Sequence, residues 1–523
     1  MITRRSSIGL LAASALPLPA MAQAAKRLRI GVGLTPNSLD PHYHNTGQNN
    51  SALRHVFDTL INELGEADLQ PNLAESWKLI DDTTWEFKLR PGVVFSDGTP
   101  LTSDDIVFTF GRVPTVPNSP GLFTPYVKLV KSFETPDALT VRMKTEKPYP
   151  FLPRDVCWVQ ILSRKLHTGV TTDDFNSMKA TIGTGPYKIV KYTPGDSVEL
   201  VRNERYWGRK QAWDTVQLRA IAEPATRLIA LKAGDLDVIA GVGTADIPAV
   251  QADPKLALTL TPSQEVIYLF PDSTRDSTPT VTDNAGKPMA KNPLRDVRVR
   301  RAMSMAIDRK AIVERVMQKA GAPAYQLAAT SEEGYNADIA PVPYDPAGAK
   351  KLLAEAGYPD GFKLTIFGPV GFIANDDKIL PAIGGFFSRI GIDTAVQSIS
   401  PAVYFGKATA REYSVFMTSY QATTAINGLK ALMVTKSAET GDGPFNRHLY
   451  SNKAVDDLVF QAQATNDPVA RNKLVGQAMK TAMDDGAVIP IATSVITYAA
   501  RKEAVKYNAV PIGWAWAMLA DPA

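Results

Sequence analysis

Asp345-Pro-Ala-Gly-Ala-Lys-Lys-Leu-Leu-Ala-Glu-Ala-Gly357-Tyr-Pro-Asp-Gly-Phe-Lys363-Leu-Thr-Ile-Phe367 reads as a helix followed by a strand. Asp345 offers a carboxylate to the first unpaired N–H groups. Pro346 sits where its missing N–H costs nothing. Ala349, Leu352, Leu353 and Ala356 recur at three- and four-residue spacing, which makes one apolar face. Gly357 supplies the left-handed stop, and Lys363 to Phe367 continues as a strand. The same grammar extends in both directions. Upstream, Val299, Ala302, Met303, Ala306 and Ile307 form one helical stripe. Downstream, Ala382 to Ile390 predicts a helix stopped by Gly391, and Asp467-Pro468 starts another whose inner face is Leu474, Val475, Ala478 and Ala482. Helix and strand in alternation build an open sheet with helices on its faces, so the chain past about residue 266 is α/β.

The N-terminal half is richer in strands. Arg29 to Leu34 is a strand that runs into the loop Thr35 to His44. Trp85 to Arg90 and Val141 to Lys144 alternate apolar and polar residues, the pattern of a half-buried strand. Pro91-Gly92 turns the chain, Val93 to Phe95 returns, and Asp97-Gly98 turns it again. Thr102 to Asp105 then offers caps to a helix. Lys188 to Tyr192 and Val198 to Arg202 form a strand pair around Pro194-Gly195-Asp196, Ala225 to Ala233 is a helix closed by Gly234, and Leu236 to Ile239 is a strand. Neither an internal repeat nor a sharp compositional break divides the chain, as expected of interleaved domains.

Composition narrows the function. The 523 residues carry 57 Lys+Arg against 53 Asp+Glu, a formal charge of +4, with 45% hydrophobic and 21% charged residues. That is a globular profile without the basic footprint of a nucleic-acid binder. The single cysteine, Cys157, excludes an internal disulfide and a multi-cysteine metal site, and five histidines leave little for a histidine-rich centre. Residues 1–24 carry Arg4-Arg5, a short apolar run and an Ala22-x-Ala24 ending, which predicts a secretory signal of twin-arginine type rather than a buried first helix. The cleavage point holds no cysteine, so an exported protein without a lipid anchor is expected.

Enzyme constellations are absent from the sequence: no Gly-x-Ser-x-Gly elbow, no His-Glu-x-x-His helix and no phosphate loop. Gly183-Thr-Gly185-Pro-Tyr187 is the nearest glycine cluster, and it opens into a strand rather than a helix. His42-x-His44 beside Asp40 reads as a solvated loop more readily than as a metal site, because no further ligand spacing appears. Cys157 reads as a buried, inert thiol. The pairs Asp104/Asp105 and Asp484/Asp485 read as helix capping and surface charge.

Several long motifs fall in one order: Pro71 to Asp82, Thr84 to Thr109, Gly183 to Lys188, Arg202 to Trp207, Arg227 to Val238, and Asp296 to Arg309. From about residue 28 to the C-terminus the chain resembles the extracytoplasmic solute-binding proteins of family 5, the dipeptide, oligopeptide and nickel-type components of ABC importers. The resemblance implies an α/β, two-lobe periplasmic binding protein fold of class II type with an extra accessory subdomain. By that likeness lobe I comprises 25–53, 180–265 and 490–523, the accessory subdomain 54–179, and lobe II 266–489, with crossings near Thr261–Pro271 and Ala487–Ile491. It implies a periplasmic monomer that captures a peptide-like or other polar solute between its lobes and delivers it to the ABC permease subunits of the inner membrane. It implies no catalytic residue, metal, cofactor or nucleic-acid partner.

The expected ligand-binding residues are Asn37, Tyr43 and His44 in the first loop, then Tyr187, Phe270 and Tyr404, the stretch Ser419, Tyr420, Gln421 and Thr423, and Trp514 with Trp516, which share a face if they lie on a strand. For each aromatic the competing reading is core packing. Peptide-binding members of the family usually carry an aspartate within the segment equivalent to Ser419–Asn427, and this chain has no carboxylate there. In those members the aspartate pairs with the peptide's free ammonium. Phe270-Pro271-Asp272 here also replaces the asparagine pattern often found at that crossing. The case for ordinary peptides with a free N-terminus is thereby weakened, and a blocked peptide, an opine-like conjugate, a sugar-like solute or another polar metabolite joins the expected cargo. Two other readings are a secreted hydrolase on an α/β scaffold and a metal-chelate carrier using His42 and His44.

Overall fold

The computed structural model describes residues 25–64, 69–511 and 513–523. Two long antiparallel strands, Leu256–Pro271 and Ile489–Arg501, run through its centre. They are rich in β-branched and aromatic residues, which pack well on a pleated surface, and they pair from Leu256 opposite Arg501 to Leu269 opposite Ile489. A sheet of twelve strands among the described residues is built outward from this pair. On one side come Val415–Gln421, Phe362–Pro369 and Val281–Thr282, with Ile392–Ile399 also on Phe362–Pro369. On the other come Val238–Ala240, Arg27–Val32, Thr215–Ala220, Ser197–Arg202 and Tyr187–Thr193. Each side buries its own core: Val299, Met303, Leu353, Ile366, Ile383 and Phe387 on the first, and Leu28, Ile30, Phe57, Val198, Leu200 and Val216 on the second. A separate four-stranded antiparallel sheet, Ala74–Asp81, Thr84–Leu89, Thr140–Thr145 and Val130–Asp137 in spatial order, packs on the helix Ser103–Arg112 through Phe87, Ile106, Phe110, Val141 and Met143.

The capping chemistry places the helices. Asp345 accepts the N–H of Gly348 at 2.8 Å and starts the helix Pro346–Glu355, and Asp467 accepts the N–H of Ala470 at 2.7 Å and starts Pro468–Asp484. Gly234 ends Pro224–Ala233 at φ 85°. The helix expected from Ala382 instead begins at Asp376 and runs through Pro381 to Arg389. The Asp376 carboxylate accepts the N–H groups of Gly371, Phe372 and Ile373, which fixes the earlier start. Pro381 lies on the exposed face, where water can take the carbonyl it leaves unpaired. Val93 to Phe95 makes only an isolated bridge, Val94 to Pro100, because the turn at Gly98 closes too soon for a strand pair. Trp514 and Trp516 lie outside any strand, so a shared strand face does not bring them together. The signal expected at 1–24 lies outside the described residues.

The glycine cluster at 183–187 has a structural purpose. Gly185 and Tyr187 donate their N–H groups to Val56 and His55, both at 2.8 Å, while the carbonyl of Gly183 accepts from Ser96 at 2.9 Å. Thr184 and Trp207 both donate to the carboxylate of Asp58, and the Asn203 side chain donates to the carbonyl of Gly185. Motif residues from two separate stretches, 183–188 and 202–207, therefore converge on 55–58, where the chain leaves the large sheet for the small one. A Cβ on Gly183 would stand 2.0 Å from the carbonyl oxygen of Val56, and one on Gly185 would stand 2.6 Å from the Val56 carbonyl carbon. Gly183→Ala is expected to cost about 1–3 kcal/mol through the backbone shift it forces. Equilibrium denaturant unfolding checks this, and a wild-type midpoint would refute the close approach.

Candidate functional site

A cavity of about 770 Å³ opens at the middle of the large sheet. Its floor is made by the two crossing strands, and an irregularity there exposes the functional side chains. Pro262 pairs with Val495, but the next pair is Val266 with Thr493, so Ser263, Gln264 and Glu265 stand opposite Ser494 alone. Pro262 has no N–H to give the ladder, a property that confines proline within sheets to edges and bulges. A bulge bends the strand and re-aims its side chains, and all three of these residues line the cavity. The Glu265 carboxylate accepts hydroxyl donors on both oxygens, Ser419 at 2.6 Å and Ser494 at 2.7 Å.

One wall is aromatic. Tyr126 stacks on Trp158 at 5.7 Å, Trp158 meets Trp514 edge-on at 5.7 Å, and the guanidinium of Arg54 lies 5.0 Å over Trp514. Asn45 and Asn50 add amides beside it. The opposite wall carries Tyr420, Gln421, Thr423, Asn427 and Lys430 from the far side of the crossing pair. Rings with scattered polar groups suit an amphipathic solute of moderate size.

The charged groups are mostly engaged. Arg154 pairs with Glu63 and reaches Glu333 at 3.3 Å, and Glu333 also holds Arg471 at 2.8 Å. Lys430 faces Asp442 at 3.6 Å. Burial lowers the Arg54 guanidinium to about 10. Burial pushes the Asp155 carboxyl up to about 7 against the opposing hydrogen bond from Tyr149, whose hydroxyl donates to it at 2.7 Å.

Four of the expected residues line this cavity: Tyr420, Gln421, Thr423 and Trp514. Ser419 touches it through Glu265, and Trp516 is buried against Trp514 with ring centroids 5.0 Å apart. The remaining six lie elsewhere. Asn37 and Tyr43 line a second pocket beside Arg112 and His167, and the His44 ring is hydrogen-bonded to Asn37 at 2.8 Å. Tyr187, Phe270 and Tyr404 are fully buried in the core, where Phe270 packs against Phe416 and His448 and the Tyr404 hydroxyl donates to the carbonyl of Met417 at 2.6 Å. The loop holding His42 is not solvated there: His42 is buried between Arg112 and the Gln160 carbonyl, and burial lowers its imidazole to about 3. Among the described residues no three His, Cys, Asp or Glu side chains gather as metal ligands. Sequence reading passed over Arg54, Tyr126, Asp155, Trp158, Glu265, Lys430 and Ser494. The signal available for Glu265 was Pro262 inside an otherwise strand-like run.

Two α/β halves joined by crossing strands above a polar, aromatic-walled cavity define a two-lobed solute receptor. Residues 68–439 match the bacterial extracellular solute-binding proteins, family 5 Middle, and the chain belongs to that family. Heme-binding protein A of Haemophilus influenzae is 29% identical over 481 residues, spanning 85% of this chain and 83% of that protein. The dipeptide-binding protein of Escherichia coli is 27% identical over 515 residues, spanning 92% and 91%. The solved structure of HbpA2 from Haemophilus parasuis has the same fold, with a TM-score of 0.81 at 24% identity over 95% of this chain and 100% of that one. The fold is thus the periplasmic binding protein fold, and the chain is a solute-binding protein rather than an enzyme. No helix among the described residues is long and apolar enough to cross a membrane.

The raised Asp155 carboxyl carries a pH signature. An unfolded aspartate titrates near about 4. Between there and about 7 the folded protein holds a proton that the unfolded chain has released. Stability therefore falls as pH rises through that window and levels off above it, on the order of 1 kcal/mol per pH unit. Asp155→Asn removes this loss. It is expected to melt above wild type at pH 8 and to converge with it near pH 4, and parallel melting curves would contradict the assignment.

Proposed function

We propose that this protein is the solute-capturing component of an ABC import system, exported by its 1–24 signal to the periplasm and free of a lipid anchor. It carries a peptide-like or other polar solute, as a monomer, to the permease subunits of the inner membrane. Lobe I is 25–53, 180–265 and 490–523, the accessory subdomain is 54–179, and lobe II is 266–489. One observation carries the reading: Asn50, Arg54 and Trp514 line the cavity from one side of the crossing strands, and Tyr420, Gln421, Thr423, Asn427 and Lys430 line it from the other. A solute touching both walls binds the closed arrangement better than the open one, and that difference in affinity shifts the population. A solute touching one wall alone would shift nothing. Four of the expected ligand residues, Tyr420, Gln421, Thr423 and Trp514, act as direct contacts, and Ser419 acts through Glu265. The volume lies within the range of small-molecule sites. The heme-binding and dipeptide-binding relatives support an organic solute of this size.

The test is twofold. Equilibrium dialysis and thermal shift against peptides, opine-like conjugates and sugars are expected to find a solute recovered unchanged that raises the melting temperature. Mass spectrometry of the periplasmic fraction is expected to show a mature chain starting at Ala25. Conversion of the solute, or a protein that stays in the cytoplasm, would overturn the proposal.

A further inference from the structure

Another cavity, of about 650 Å³, lies where the crossing strand Ile489–Arg501 begins, and it shares no lining residue with the first. Its wall carries Arg300 and Arg301 from the helix Val297–Ala306, and Arg309 just beyond that helix. Among the described residues none of the three pairs with a carboxylate. The carboxylates whose charge reaches Arg300 are Asp485 and Asp296, and both are taken, Asp485 by Tyr450 and Asn452 and Asp296 by Arg298. Neutral groups hold the two buried guanidiniums instead. Arg300 donates to the carbonyls of Gly486 at 3.0 Å, Leu294 at 2.6 Å and Asp485. Arg309 donates to the carbonyls of Pro490 at 2.8 Å, Ala324 at 3.1 Å and Ser304 at 2.9 Å, and to the Ser304 hydroxyl at 2.8 Å. A guanidinium has five N–H groups. Three are engaged on each, the Nε–H of Arg309 being shared by two carbonyls, so each keeps two N–H groups and its full charge uncommitted. Carbonyl dipoles orient a buried cation without cancelling its charge, and a buried charge is costly until something pairs with it. Arg301 is exposed and has no hydrogen-bond or ion-pair partner among the described residues. Lys480 and Asp484 also line the cavity but pair with each other at 2.6 Å, which leaves Asp338 against three arginines. Met305, Pro341, Val342 and Pro343 make the wall apolar elsewhere, beside the Tyr325 ring that lies 5.2 Å under Arg309.

We propose that this cavity binds a small organic oxyanion, a phosphate or carboxylate carried on a compact apolar group. The arginines give the oxyanion charge-assisted N–H bonds in the forked geometry that suits phosphate and carboxylate alike. The apolar group lies on the proline wall. Arg300 and Arg309 also hold the carbonyls of 485, 486 and 490, so the occupant sits at the root of the ladder between the halves. The site is separate from the solute cavity, and the inference does not rest on the solute-capture reading.

Calorimetry of the purified full chain at fixed ionic strength tests it, with phenyl phosphate and benzoate as anions and benzyl alcohol and benzylamine as neutral and cationic rings. Saturable binding of at least one anion at a single site is expected, with neither control binding, and the tighter anion assigns the oxyanion. Arg301→Glu is expected to keep the wild-type melting temperature, since the residue is exposed and unpaired, and to lose about tenfold or more in anion affinity. Arg301→Lys keeps the charge without the fork and is expected to fall between the two. Trp514→Ala, in the first cavity, is expected to leave anion affinity unchanged. Equal affinity for the neutral or cationic ring, unchanged anion affinity in Arg301→Glu, loss in Trp514→Ala instead, or no binding of either anion would overturn the assignment. Arg301→Lys and Trp514→Ala still place the anion if Arg301→Glu does not fold.

Discussion

The pairing of Leu256–Pro271 with Ile489–Arg501 is the constraint on which the rest depends. The two strands are the ladder between the halves of the large sheet, and they form the cavity floor. A continuous, regular ladder would hold the halves as one slab. The break between Pro262 and Val266 interrupts it where the cavity opens. The same feature thus weakens the ladder locally and turns Ser263, Gln264 and Glu265 toward the cavity. The irregularity of the ladder and the cavity floor share one stretch of backbone.

A second set of contacts spans the cavity away from the strands. Arg154 links Glu63 to Glu333, and Glu333 continues to Arg471. Phe151 packs within the apolar cluster that includes Phe270, Tyr404 and Leu429, with Arg471 over its ring at 5.2 Å. These join the 54–179 segment to the far half. Ion pairs largely removed from water gain little net stability, because desolvation offsets attraction. A chain of them can therefore join the two sides of the cavity without locking them together.

Local structure was legible wherever a short run of residues decides it. Asp345, Pro346 and Gly357 bracket a helix by chemistry that acts within one turn, and the helix lies between them. Gly183 to Tyr187 was legible as a turn entering a strand, but its purpose was not, because Val56 and Asp58 are far away in sequence. The site was less legible for the same reason. Tyr187, Phe270 and Tyr404 have the residue types of a binding wall, yet each is buried, since aromatic side chains serve cores and clefts alike. Arg54, Asp155 and Glu265 read singly as ordinary charges, and only the fold shows that they share a cavity. The segment 419–427 has no carboxylate of its own, whereas the structure sets Glu265 beside Ser419 from a neighbouring strand. Cross-strand proximity of this kind leaves no mark in a linear pattern.

The central claim is that a solute touching both walls draws the two halves together about the interrupted ladder. Small-angle X-ray scattering of the purified protein, with and without a solute already shown by dialysis to bind, tests this most directly. The account predicts a smaller radius of gyration and a shorter maximum dimension in the bound sample. Superimposable profiles at saturation would contradict it.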